Sequence, residues 1–198
     1  MLNNIFSEEA FQDKRLDIKI SNNNNPLGFG ANHNKTFNNV DCDYFIVVNP
    51  DIYFNEPFDL DKFIELHKSI DILSPIQKGV NGEKLNFIRR DLSFINFVKK
   101  IFFYETCNYH DFDWICGAFL SFTSKSYNVL DGFDPGFKMY IEDCDICYRA
   151  RSKNYNLAIA EDFNVIHIIG GMSKKNLQHF IWHVSSLLRY WYLKIFRI

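Results

Sequence analysis

The 198-residue chain is 47% hydrophobic and 23% charged, the balance of an ordinary globular domain and one that excludes a disordered or low-complexity chain. Its formal net charge of −2 hides an asymmetry, because from residue 168 onward there are five Lys/Arg and no Asp or Glu, against 17 basic and 24 acidic residues before it. An acidic body with a basic, aromatic tail argues against general nucleic-acid binding and suits anionic lipid head groups or a diphosphate-bearing substrate.

Residues 1–15 read as the end of a helix, and the alternation of Leu16-Asp17-Ile18-Lys19-Ile20 predicts a short strand. A loop dense in Asn and Gly follows over 21–34 and leads into a helix. Gly28 and Gly30 remove side-chain bulk where a backbone could approach a phosphate or sugar, and Asn32 and its neighbours offer both donors and acceptors. The same composition also describes a polar turn with an Asn helix cap.

Tyr44-Phe45-Ile46-Val47-Val48 is a continuous apolar run of the kind buried on both faces of a sheet. It ends in Asn49-Pro50-Asp51, and ligands of open α/β sheets bind beyond the carboxyl ends of strands. An Asp there can hold a hard divalent cation; Pro and Asp equally favour a plain strand-ending turn. Residues 58–70 predict a helix, Ile72-Leu73-Ser74-Pro75 a strand, 78–82 a hairpin turn and 94–104 an aromatic helix. No chemistry is assigned to 76–112.

The stretch 114–149 is the one the rest of the chain serves. Ile115 to Phe122 is apolar, with Gly117 and Ala118 where a ligand or backbone could come close. After the turn Asp131-Gly132-Phe133-Asp134-Pro135-Gly136, four carboxyl groups fall close together: Asp134, Glu142, Asp143 and Asp145. A helix over 142–151 puts Asp143 in its first turn, where amide donors and the helix dipole favour negative charge. Neighbouring carboxylates push their proton affinities apart, so one can serve as a base near neutral pH; an acidic helix start alone would carry the same residues. The five cysteines are odd in number and irregularly spaced, which points to a reducing cytosol. Cys144 and Cys147 read as buried helix-face thiols rather than a zinc or redox pair.

Extended runs are expected over 155–160 and 164–168, the second carrying His167, which reads either as a structural strand-end His, the commoner case, or as a ligand facing Asp51. Lys174 and Lys175 follow Gly170-Gly171 and suit phosphate oxygens. From Asn176 the pattern is an aromatic helix, too interrupted by charge and His to span a membrane. It either packs on the domain or lies in a membrane interface with its basic residues toward lipid head groups.

Taken in order, these motifs resemble the family 2 inverting glycosyltransferases, in particular the bacterial rhamnosyltransferase-like group that builds surface polysaccharides. The resemblance is carried by Gly28-Phe29-Gly30-Ala31-Asn32, Val48-Asn49-Pro50-Asp51, Trp114-Ile115-Cys116-Gly117-Ala118-Phe119, Gly132-Phe133-Asp134, the run from Phe137 to Asp145, and His167 with Ser173-Lys174-Lys175. It implies a GT-A, Rossmann-like α/β fold over 1–175 with a terminal helix over 176–198. It further implies a nucleotide-diphosphate sugar donor, a divalent cation (Mn²⁺ or Mg²⁺) held by Asp51 and His167, and a lipid-linked or growing glycan acceptor. Asp143 would take the acceptor proton, with Glu142 as substitute, and Trp114 and Gly117 would line a sugar pocket. Asn49 stands where many relatives have Asp.

The family usually opens with two further βα units that hold the nucleotide base, and this chain begins near the third strand. The expectation is therefore an N-terminally truncated enzyme, cytoplasmic and peripheral to the membrane, that transfers a sugar such as rhamnose with inversion. The alternative is a remnant that keeps the fold and binds glycan or membrane without turnover.

Overall fold

A computed structural model of the protein describes residues 27–54, 57–102, 107–168 and 177–196. The expected helix over 1–15, the strand over 16–20, the Asn run to residue 25, and Lys174 with Lys175 lie outside the described residues.

Thirteen elements follow in chain order: α1 (Phe29–Phe37), β1 (Tyr44–Val48), β2 (Ile52–Tyr53), α2 (Leu60–Leu66), β3 (Ile72–Lys78), β4 (Ile88–Arg89), α3 (Phe94–Phe102), β5 (Trp114–Ile115), β6 (Phe119–Thr123), α4 (Ser124–Val129), α5 (Glu142–Ser152), β7 (Leu157–His167) and α6 (Leu177–Phe196). Five strands form one sheet in the order β1-β6-β3-β7-β2. β3 and β7 run parallel, while β6 lies antiparallel to both β1 and β3, and β2 antiparallel to β7. A second, two-stranded ribbon pairs β4 with β5.

The period-2 geometry of strands sorts the apolar residues onto two faces. Phe45, Val47, Ile72, Leu120 and Phe122 join a core with Tyr127 of α4, Phe133, and Ile146 and Cys147 of α5. Leu73, Phe119 and Val165 turn the other way, onto Phe63 of α2, with Ile52 and Phe163. β3 is central and buried on both sides. In β1, Phe45 and Val47 are buried in the first core while Ile46 and Val48, partly buried, pack against the second, so both faces of the run are covered as expected; among the described residues its one strand partner is β6. The runs expected over 155–160 and 164–168 form one strand, β7, whose register against β3 slips between Pro75 and Ile76 and absorbs the residues between Ala160 and Asn164.

Two polar brackets hold the loop between α4 and α5. Asn34 of α1 donates from Nδ2 to the Phe133 carbonyl (2.7 Å) and accepts at Oδ1 from the Phe133 amide (2.9 Å) and the Tyr127 hydroxyl (2.7 Å). Arg149 donates to Asp145 (2.8 Å) and to the carbonyls of Gly132 (2.8 Å) and Leu130. Gly132 adopts φ +60°, a conformation an L side chain rarely takes, and so turns the chain between those anchors.

α6 packs on this body through one face. Its Trp191 donates to the Leu92 carbonyl (2.7 Å) and its Ser186 to the Met139 carbonyl (2.9 Å). The expectation of basic residues facing lipid head groups is corrected for the two described ones: Arg189 pairs with Asp134 (2.9 Å) and Lys194 with Asp91, both inward. The outer face is apolar instead, with Leu177, Ile181, Leu188 and Ile195 exposed. No helix among the described residues is long and apolar enough to cross a membrane.

Candidate active site

Asp51 follows β1 and immediately precedes β2, and the pairing of β2 with β7 sets Ile52 opposite His167. The Ile168 amide donates to the Asp51 carbonyl (2.9 Å), which locks the two strand ends together. His167 Nε2 thereby stands 3.6 Å from Asp51 Oδ2, while its Nδ1 meets Gln77 Oε1 at 3.2 Å. The other Asp51 oxygen, Oδ1, is buried without a hydrogen-bond partner. A buried, unpartnered carboxylate oxygen is costly unless a proton or cation reaches it. Burial holds the His167 imidazole below its usual proton affinity, against the pull of the Asp51 charge.

Glu142 and Asp143 open α5 from a strained turn. Tyr140 and Ile141 have φ +72° and +69°, consecutive left-handed conformations that a bulky or β-branched side chain strongly disfavours. The Ile141 side chain is buried, and the Tyr140 hydroxyl bonds His179 Nδ1 on α6 (2.7 Å), so packing on both sides enforces the turn. Asp143 accepts from the Gly117 amide at Oδ2 (2.8 Å) and from the Cys144 amide at Oδ1 (2.8 Å). Glu142 is 6% exposed, and its Oε2 is buried without a partner. Desolvation raises the proton affinity of both carboxyls; the Asp143 charge raises that of Glu142 further, and the Gly117 and Cys144 amides pull that of Asp143 back.

Both half-sites contact the 117–118 turn. The Asn49 amide, two residues before Asp51, donates to the Ala118 carbonyl (2.8 Å), and the adjacent Gly117 amide holds Asp143. A Cβ on Gly117 would stand 3.2 Å from Asp143 Cβ and 3.6 Å from the Phe29 ring, which is the close approach that the bare residue permits.

The remaining candidates are placed differently. Gly28 is bare because the carbonyls of Lys138 and Phe137 occupy its side-chain space, 2.6 and 2.7 Å from a built Cβ; its own chain, not a phosphate or sugar, makes the close approach. Asn32 lies on the next turn of α1, half-buried, its carbonyl accepting from Thr36. Trp114, expected to line a sugar pocket, is instead 4% exposed in the core, its indole N–H bound to the Arg90 carbonyl (2.8 Å). The ring is apolar and flat, and the fold spends it beneath Arg89, whose guanidinium lies 5.2 Å from its centroid. Lys174 lies outside the described residues.

Two residues of the site went unread. Arg89 falls in the segment without assigned chemistry, and its charge reaches Asp143 and favours the carboxylate. An Arg-Arg pair inside an apolar, aromatic stretch was the available signal. Gln77 falls between the strand expected over 72–75 and the hairpin turn expected over 78–82, and nothing in sequence marks it as fully buried behind His167. Among the described residues no group of three or more His, Cys, Asp or Glu side chains is gathered for a metal, so Asp51 and His167 form a two-ligand arrangement.

The mixed sheet with its polar groups at the strand ends is the GT-A glycosyltransferase fold. It superimposes on the mannosyltransferase PcManGT from Pyrobaculum calidifontis in complex with GDP-Man and Mn²⁺, with a TM-score of 0.53 and 12% identity. It also matches GalNAc-T7 with UDP, GalNAc and Mn²⁺, with a TM-score of 0.56 and 14% identity. The chain is covered to 84% and 76% in these matches but spans only 45% and 32% of those proteins. No family model matches the chain. In sequence it is similar to the rhamnosyltransferase WbbL of Escherichia coli (strain K12), 26% identical over 187 residues, which covers 82% of this chain and 69% of that protein. The likeness in structure is one of fold, and the likeness in sequence is to a protein named as a rhamnosyltransferase.

Proposed function

We propose that the chain transfers a sugar, rhamnose or another deoxyhexose, from a nucleotide-diphosphate donor to a lipid-linked or growing polysaccharide, with inversion. The observations that support this are the Asp51–His167 pair and the Asp143 carboxylate held by the Gly117 amide, beside the Ala118 carbonyl that accepts from Asn49. The deoxyhexose is supported by the similarity to a protein named as a rhamnosyltransferase.

Asp51 and His167 fit a divalent cation, Mn²⁺ or Mg²⁺, as one oxygen and one nitrogen ligand beside a buried oxygen that lacks a partner. When bound, the cation supplies positive charge to a departing diphosphate. Lys174 is proposed to reach the same phosphates. Asp143 accepts the proton of the incoming hydroxyl on a lone pair not used by the two amides that orient it. Gly117, bare of a side chain, lets the Asp143 carboxylate approach its amide. Attack comes from the face opposite the departing nucleotide, so the anomeric centre inverts. Glu142, with its unpartnered Oε2, is the substitute base. The exposed apolar face of α6 is proposed to rest on the cytoplasmic membrane surface, where a lipid-linked acceptor resides.

The test is turnover with a panel of nucleotide-diphosphate sugars plus Mn²⁺ or Mg²⁺, with the anomeric configuration of the product read by NMR. An inverted product whose formation Asp143→Asn abolishes, in a variant that still folds, supports the reading. Donor binding without turnover would instead identify a non-catalytic remnant, and retention of configuration would remove Asp143 from its role.

A further inference from the structure

Behind the Asp51–His167 pair a polar relay runs back into β3. Ser74 and Gln77 are both fully buried there, in the interior of the sheet. The Ser74 hydroxyl donates to the Pro75 carbonyl (3.1 Å), Gln77 Nε2 stands 3.5 Å from Ser74 Oγ, and Gln77 Oε1 stands 3.2 Å from His167 Nδ1.

With the Gln77 amide oriented Oε1 toward His167, the links follow one polarity. The Ser74 hydroxyl donates to the Pro75 carbonyl, which only accepts. Ser74 Oγ then offers lone pairs, and the group that can donate to it is the Gln77 amide nitrogen. That orientation leaves the Gln77 carbonyl facing the imidazole, so Nδ1 must carry the ring proton. A neutral imidazole protonated at Nδ1 has a bare lone pair at Nε2, and Nε2 is the atom 3.6 Å from Asp51 Oδ2. Two lone-pair atoms facing each other need something positive between them.

We propose that Ser74 and Gln77 are positioning residues that fix His167 as its Nδ1–H tautomer and so aim a bare Nε2 at the cation shared with Asp51. The inference rests on the cation reading above. It goes further in giving the buried amide of Gln77 a function: it sets which ring nitrogen is the ligand, the role that outer-shell partners of metal-bound His commonly fill.

The experiment begins with the metal-free full chain. Nitrogen-15 NMR of the His167 ring at neutral pH is expected to show a protonated Nδ1 and an unprotonated Nε2. An Nε2–H ring, donating to Asp51 as an ordinary His–Asp pair, would overturn the proposal. Mn²⁺ binding is then followed by electron paramagnetic resonance in wild type, Gln77→Glu and Gln77→Met. Gln77→Glu keeps an acceptor at Nδ1 and should bind at least as tightly as wild type. Gln77→Met should bind about 10- to 100-fold more weakly. Unchanged Mn²⁺ affinity in a folded Gln77→Met protein would also overturn it. An Nδ1–H ring in a wild-type protein that binds no Mn²⁺ would leave the relay standing and remove the cation, so the two failures are told apart.

Discussion

Asp143 and Asp145 lie two residues apart in the first turn of α5, under the same helix dipole, yet the fold treats them oppositely. Asp145 is 1% exposed and gripped by Arg149, whose remaining donors reach the Leu130 and Gly132 carbonyls. Asp143 has two backbone amides, and its neighbour Glu142 keeps one oxygen buried without a partner. A satisfied buried carboxylate specifies structure, whereas an under-satisfied one retains the capacity to accept a proton or a ligand. The backbone repeats the contrast. Asp131 and Asn154 take positive φ in exposed turns, where short polar residues tolerate it, while Tyr140 and Ile141 take it at the entrance to the site, where they do not.

The strongest way to break this comparison is Asp143→Asn. The amide keeps the size and its carbonyl keeps one of the two backbone bonds, but the base is lost, so turnover should fall about 10³-fold while stability falls by only about 1–3 kcal/mol. An Asp143→Asn protein that turns over like wild type would show the pair to be nothing more than a helix start. Next in size is Arg149→Met, which removes the ion-pair partner of Asp145 and the bracket on the 130–132 turn. Breaking such a buried pair costs about 3 kcal/mol of stability, read by denaturant unfolding. At a temperature where the variant stays folded, it should retain donor binding.

How far the sequence carries this contrast depends on what kind of physics sets each half. Local signals were legible: β3 and the aromatic helix α6 follow from apolar spacing, and the helix opening at Glu142 from its acidic first turn. The strand-end position of Asp51 was legible for the same reason, and the β2–β7 pairing then brings His167 to it. What could not be read is what depends on which side chain fills a neighbour's space. Gly28 looks like a gap for a ligand until the Phe137–Lys138 backbone is seen in it, and Trp114 looks like a sugar platform until Arg89 is seen covering it. Asn34 resembles one more residue of a polar run, although its amide holds both backbone groups of a residue 99 positions away. Long-range contacts of that kind leave no periodic trace.

A smaller effect sharpens the comparison at Gly117. An alanine there places its Cβ 3.2 Å from Asp143 Cβ and 3.5 Å from Oδ2, tight enough to displace the carboxylate by a few tenths of an ångström without collapsing the core. Gly117→Ala should lower kcat about 10-fold while leaving unfolding within about 0.5 kcal/mol of wild type. Equal losses in activity and stability would mean that the glycine serves packing alone.

The smallest effect has the most informative sign. Burial and the Asp143 charge raise the proton affinity of Glu142 in the folded state, so the native protein holds more protons than the unfolded chain once pH passes the ordinary glutamate range. The stability slope with pH is then negative: the protein is most stable, with respect to this group, below its unfolded pKa and loses that stability as pH rises through the folded one. Glu142→Gln keeps the shape and removes the titration. It should be about 1 kcal/mol more stable than wild type on the alkaline side, converge with it in acid, and flatten the profile between. A carboxylate held by the fold for its own stability, as Asp145 is, would give the opposite sign on substitution. Urea unfolding of wild type and Glu142→Gln across that pH range therefore decides whether the two ends of this one turn were built for different purposes.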